Sequence, residues 1–133
     1  MAKMQTDPVT PELLAAVLPW WPLRHEGEMP ADVLPPCGIV ASDETGPLAA
    51  MWMYEPVGTS IRILDWLVTR PGLSPAHARR AILACLAELE AIARDCGATR
   101  LFCAVSRDHL ALEAMVAGYH FVSNVQHLAK SLE

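Results

Sequence analysis

Asp65 is the one acid inside the apolar run SIRILDWLVT, and a carboxylate held in such a run is a group that could take a proton from a substrate. The competing reading is an acid at a strand edge, paired with Arg62 or Arg70. No other set of reactive side chains is grouped in a comparable way. His77, His109, His120 and His127 are scattered over different elements without ligand spacing, so no metal site is expected. Cys37, Cys85, Cys96 and Cys103 contain no CxxC pair; Cys85 and Cys96 fall in a helical pattern and read as small core side chains, with reduced thiols as the default. Trp20, Trp21, Trp52 and Trp66 read as core or edge-covering residues, with a pocket or interface as the alternative.

The elements that must position Asp65 follow from turn and cap signals. Pro8, Pro11, Pro19, Pro22, Pro30, Pro35 and Pro36 break the first third into short pieces, of which only Pro11 to Leu18 looks helical, capped by Thr10. From Cys37 the pattern turns to strands: CGIVASD, a turn at Glu44-Thr45-Gly46, then PLAAMWMYEP, which together read as a hairpin. A turn at Gly58 leads to the strand bearing Asp65, which becomes apolar on both faces through Leu64, Trp66, Leu67 and Val68, as a central strand would. After the Arg70-Pro71-Gly72 break, Ser74 is a good N-cap and Pro75 a good first helical residue. The helix runs to Gly97, with apolar residues at 78, 81, 82, 85, 86, 89, 92, 93 and 96 and most charges off that stripe. RLFCAV reads as a buried strand, Asp108 to Ala117 as a second helix stopped by Gly118, and YHFVSN with VQHLAK as the closing strand or strand pair. The expected organisation is one domain, with a proline-rich segment over 1–36 and the main core over 37–133.

The 133 residues are 53% hydrophobic and only 19% charged, an apolar balance that points to a homo-oligomer or an assembly with other proteins. The net charge of -5 gives no general attraction to nucleic acid or to anionic lipid. The N-terminus carries Asp7 and Glu12 without the basic segment and apolar stretch of a secretory signal. No window reaches the roughly 18 to 20 apolar residues of a membrane span. A soluble, cytoplasmic protein is expected, with no membrane partner.

The order hairpin, apolar strand, Pro/Gly break, long helix, strand, short helix and Gly-aromatic strand resembles the GCN5-related N-acetyltransferase (GNAT) superfamily over roughly residues 37 to 130. The segments ILDWLVTRPGLSPAHARRAILACL, LFCAVSRDHLALEAMVAGYHF and VQHLAK carry the resemblance. It is similar in particular to short GNAT-like proteins of tailed phages, with their WLV-x-x-P strand end and HL-x-K terminus, which would place it in the host cytoplasm or a virion. The resemblance implies an α/β (α+β) fold: a mixed, mostly antiparallel sheet, a long central helix and a second C-terminal helix. It also implies acetyl-CoA as cofactor and an amine as acceptor. In the family the loop before the long helix binds pyrophosphate, because amide N–H groups and the positive end of the helix dipole point at an anion there. The matching run here is Leu73-Ser74-Pro75-Ala76-His77-Ala78, with Arg70, Arg79 and Arg80 adding positive charge. It departs from the family pattern at Leu73, at Ala76 and at Pro75, which has no N–H. A Ser74 that merely caps a helix, with arginines on a solvated face, is the competing reading. By the same resemblance Trp66, Leu67 and Val68 hold the pantetheine arm, and Asp65 or a water accepts the proton. The family's acid, a Tyr on the short helix, has no counterpart, since its register falls on Ala114 and Tyr119 follows Gly118 instead. A non-catalytic assembly protein that kept the fold is the alternative function.

Overall fold

The computed structural model describes residues 3–23, 27, 29–104, 118 and 130–132. Five strands form one sheet in the order β1 (Gln5–Pro8), β2 (Cys37–Asp43), β3 (Gly46–Tyr54), β4 (Ile61–Thr69), β5 (Arg100–Cys103). Neighbours are antiparallel except β4 and β5, which run parallel because the long helix α3 (Pro75–Asp95) carries the chain back between them. The expected second helix over residues 108–117 and the closing strands lie outside the described residues, as do His109, His120, His127 and Tyr119.

Helix α3 begins and ends where its sequence dictates. Ser74 Oγ accepts the His77 N–H at 3.2 Å and Pro75 occupies the first turn, where a missing N–H costs nothing. At the other end Ala98 N–H returns to Ala93 O (2.9 Å) and Gly97 N–H to Arg94 O (3.0 Å). That double closure needs a left-handed residue after the cap, and Gly97 supplies it at φ 81. Ala81, Ile82, Cys85, Leu86, Leu89 and Ala93 form the buried stripe, packed on Ile39, Leu48, Met51, Met53 and Leu64. Cys96, expected inside, is instead exposed as the C-cap, one position past the last helical residue, Asp95.

The other face of the sheet is covered by the N-terminal third, which is more ordered than its prolines suggest. Helix α1 (Pro11–Val17) forms as expected, with Thr10 Oγ1 accepting the Leu13 N–H. Two further pieces correct the reading of a single helix: a turn of helix α2 (Trp20–Leu23) and a 3-10 turn over Ala31–Val33. A third correction is β1, which pairs with β2 from Gln5↔Ser42 to Pro8↔Ile39. Its four residues QTDP show no apolar alternation, and Pro8 is tolerated because the strand is at the sheet edge. Val17, Trp20, Trp21, Val40, Ala50, Trp52 and Val68 make the core on this side.

The strand buried along most of its length is β3, third of five, rather than β4 as expected. Leu48 through Met53 are all essentially inaccessible, whereas β4 is fully covered only at Leu64, Asp65, Val68 and Thr69. The uninterrupted run LAAMWM already carries that signature of two covered faces.

Candidate functional site

Asp65 stands beside an irregularity in β4. Ala50 faces Val68 and Trp52 faces Asp65, so Trp66 and Leu67 together oppose Met51 alone, which is a β-bulge. Trp66 adopts φ 62, the one positive φ outside glycine among the described residues. For a tryptophan that backbone costs on the order of 1–2 kcal/mol, so neighbours must hold it. Three hydrogen bonds in series do. Asp65 Oδ1 accepts the Trp66 N–H at 2.7 Å, the Trp66 indole Nε1–H donates to the Tyr54 hydroxyl at 2.7 Å, and that hydroxyl donates to the Val33 carbonyl at 2.5 Å. On the other side, the described pairing with β5 runs from Ile61↔Arg100 to Leu64↔Cys103, and Ala104 N–H closes it on Leu64 O at 2.8 Å. Strand β4 continues from Asp65 to Thr69 beyond that last described pair.

The tip of α3 is tied to the β2–β3 turn. Asp43 Oδ1 accepts from the Thr45 N–H (2.8 Å) and the Thr45 hydroxyl (2.6 Å), which shapes the turn, and its Oδ2 lies 2.7 Å from His77 Nε2. Facing an ionised carboxylate, Nε2 is the nitrogen that carries the proton. Arg70 adds a second tie, donating to Thr45 O (3.1 Å), Pro47 O (3.1 Å) and Thr45 Oγ1 (3.0 Å). The Thr45 hydroxyl, then its N–H, and finally His77 hold the Asp43 carboxyl down at about 2, below its usual 3.8. A lowered carboxylate stabilises the fold above its ordinary value, and that contribution disappears as pH falls from about 4 toward 2. The Tm advantage of the wild type over Asp43→Asn should therefore shrink across that window and close near pH 2. A difference independent of pH would mean the charge of Asp43 contributes nothing.

The residues named from the sequence fall into two groups. Around the bulge, Asp65 is 9% exposed and lies on the sheet face shared with Trp52, Leu67 packs under α3, Val68 is buried on the opposite face, and Trp66 is half-buried. At the helix tip, Leu73 packs against the α3 core while Ser74, Ala76 and Arg79 are exposed and Arg70, His77 and Ala78 half-buried. The helix dipole is available there, but its donors are reduced: Pro75 has no N–H and Ser74 takes that of His77. No described residue accepts the Ala76 amide, and Arg79 and Arg80 are exposed nearby. Asp43 and Tyr54 are not singled out by the sequence, and Thr45 only as part of the turn Glu44-Thr45-Gly46. Asp-x-Thr-Gly is a legible turn signature; Tyr54 has none, because its partners are 12 and 21 positions away. Among the described residues no group of three or more His, Cys, Asp or Glu side chains is arranged to hold a metal, and no helix is long and apolar enough to cross a membrane.

A five-stranded, mostly antiparallel sheet with a long helix leading to its parallel fifth strand is a GNAT-like fold, the fold of solved GNAT acetyltransferases, and this chain has it. The solved structures similar to it include an acetyltransferase of Trypanosoma brucei, at 13% identity and TM-score 0.68, over 96% of this chain and 100% of that one. A GNAT family acetyltransferase of Streptococcus pneumoniae matches at 11% identity and TM-score 0.64, over 100% of both chains. AAC(6')-Iy, in complex with the bisubstrate analogue CoA-S-monomethyl-acetylneamine, matches at 12% identity and TM-score 0.68, over 97% of this chain and 99% of that one. No family model matches the sequence, and no curated protein matches it.

Proposed function

We propose that this chain is an acyl-CoA-dependent N-acetyltransferase in which an amine attacks the thioester directly. The observation that supports this most is the bulge at Trp66 and Leu67, beside a covered carboxylate and one short loop before the tip of α3. Acetyl-CoA, when bound, would supply an acyl group activated as a thioester. The backbone of Trp66, Leu67 and Val68 would hold the extended pantetheine arm, because a strand's amides and carbonyls match those of the arm. Leu73, Ser74, Ala76, His77 and Ala78, with Arg70 and Arg79, would hold the pyrophosphate. Asp65, directly or through a water, would accept the proton that the attacking amine loses. The bisubstrate complex of the similar AAC(6')-Iy supports CoA as the ligand class for this fold.

A second reading is favoured by one observation at the helix tip. The His77 N–H is spent on Ser74, the His77 ring on Asp43, and Arg70 donates three times to the β2–β3 turn. A GNAT-fold protein with so degenerate an anion site would serve an assembly, for example as a phage virion or accessory component. Titration of acetyl-CoA by calorimetry separates the two. Saturable heat with a dissociation constant in the micromolar range, about -8 kcal/mol, is expected of the enzyme. No heat and no thermal shift at millimolar ligand would leave the assembly role.

A further inference from the structure

Tyr54 takes no part in the chemistry just described, yet its hydroxyl is the middle link of a chain of hydrogen bonds joining the proline-rich N-terminal third to the bulge. It accepts from the Trp66 indole at 2.7 Å and donates to the Val33 carbonyl at 2.5 Å. A hydroxyl that accepts and donates at once is fixed in direction, and each bond polarises the other. Val33 is itself held by a 3-10 turn, its N–H donating to Pro30 O at 3.2 Å. The turn therefore presents the carbonyl that orients the hydroxyl that seats the indole.

The need for such a device is visible in the backbone. Trp66 sits at φ 62 without being glycine, so the bulge is not self-supporting. Asp65 restrains the Trp66 amide and Tyr54 restrains the Trp66 ring, so the residue is gripped from both ends. Resting on the acetyltransferase reading, we propose that Tyr54 is a positioning residue for the acyl-CoA arm. It locks Trp66 in its left-handed conformation, and with it the bulged backbone that would receive the arm; the Ala31–Val33 turn serves to aim it.

Tyr54→Phe tests this, because it removes the hydroxyl and keeps the ring. Trp66→Phe removes the matching indole N–H and identifies the Trp66 indole signal in a nitrogen-proton correlation spectrum of the full chain. In Tyr54→Phe the Trp66 indole signal should move and its proton exchange with solvent should quicken about tenfold, while the other three indole signals stay. The acetyl-CoA dissociation constant, by calorimetry, should rise about tenfold in either single variant and no further in the double variant, since both remove one interaction. A Trp66 signal unchanged in position and exchange overturns the clamp. A Trp66 signal that moves while acetyl-CoA affinity stays at the wild-type value overturns the positioning role and leaves the acetyltransferase reading intact. Wild-type protein that ignores acetyl-CoA at millimolar concentration overturns both.

Discussion

Gly38→Ala should lower stability by about 3 kcal/mol, or roughly 10 °C in Tm, with no change at the bulge or the helix tip. Gly38 and Trp52 are directly opposite on β2 and β3, and the indole of Trp52 folds over the glycine. A Cβ at position 38 would stand 2.4 Å from Trp52 Nε1, 2.5 Å from its Cδ1 and 2.9 Å from Val9 Cγ2. These are closer than side-chain atoms approach one another, so the indole or the strand must shift. The indole has nowhere to go: it is 2% exposed and tilted against Trp21 at 5.8 Å between ring centroids. Positive φ is not the reason for this glycine, unlike Gly46 or Gly97, so the cost is steric and belongs to the pair. Denaturant unfolding of Gly38→Ala, Trp52→Phe and the double variant checks it, because a smaller ring should relieve part of the clash and make the double less damaged than the sum. A Tm for Gly38→Ala within about 2 °C of wild type would show that the indole can move aside.

The largest effect expected on activity is at Asp65. Asp65→Asn should lower turnover on the order of 100-fold without weakening acetyl-CoA binding. Asp65 holds the Trp66 N–H through Oδ1. The amide oxygen of Asn can accept the same N–H, so the bulge keeps its inner restraint while the proton acceptor is lost. Asp65→Ala removes both. It should match Asp65→Asn in turnover, followed as release of CoA thiol with an amine the chain accepts, and in addition lose about 1–2 kcal/mol of stability. If Asp65→Asn turns over within about twofold of wild type, the residue's part is to shape the bulge and proton removal belongs to a water or another group.

Gly38 with Trp52, and Asp65 with Trp66, are pairs that are close in space but unequally legible in the sequence. Asp65 was legible as a candidate because an acid inside an apolar strand is rare, but nothing in ILDWLVT announces the bulge that follows it. Bulged left-handed positions are usually marked by glycine, and here a tryptophan fills the position because Asp65 and Tyr54 restrain it. His77 and Arg70 were legible as cations and donors beside a helix tip. That both are engaged by the β2–β3 turn depends on Asp43, Thr45 and Pro47, which lie 23 to 34 positions earlier.

What the sequence determined by itself is whatever is decided within a few residues. Ser74, Pro75 and Gly97 set the limits of α3, and Thr10 and Pro11 the start of α1. Asp43 to Gly46 turn β2 into β3, and apolar periodicity picks the face α3 buries. These signals work because caps and turns satisfy backbone groups from neighbouring side chains. Tertiary structure alone decided that QTDP becomes an edge strand and that a tryptophan adopts a glycine's conformation in β4. In each case the stabilising partner is far along the chain: a β2 edge more than thirty residues on, or a hydroxyl on the neighbouring strand. No local propensity encodes a contact that exists only once the sheet has assembled.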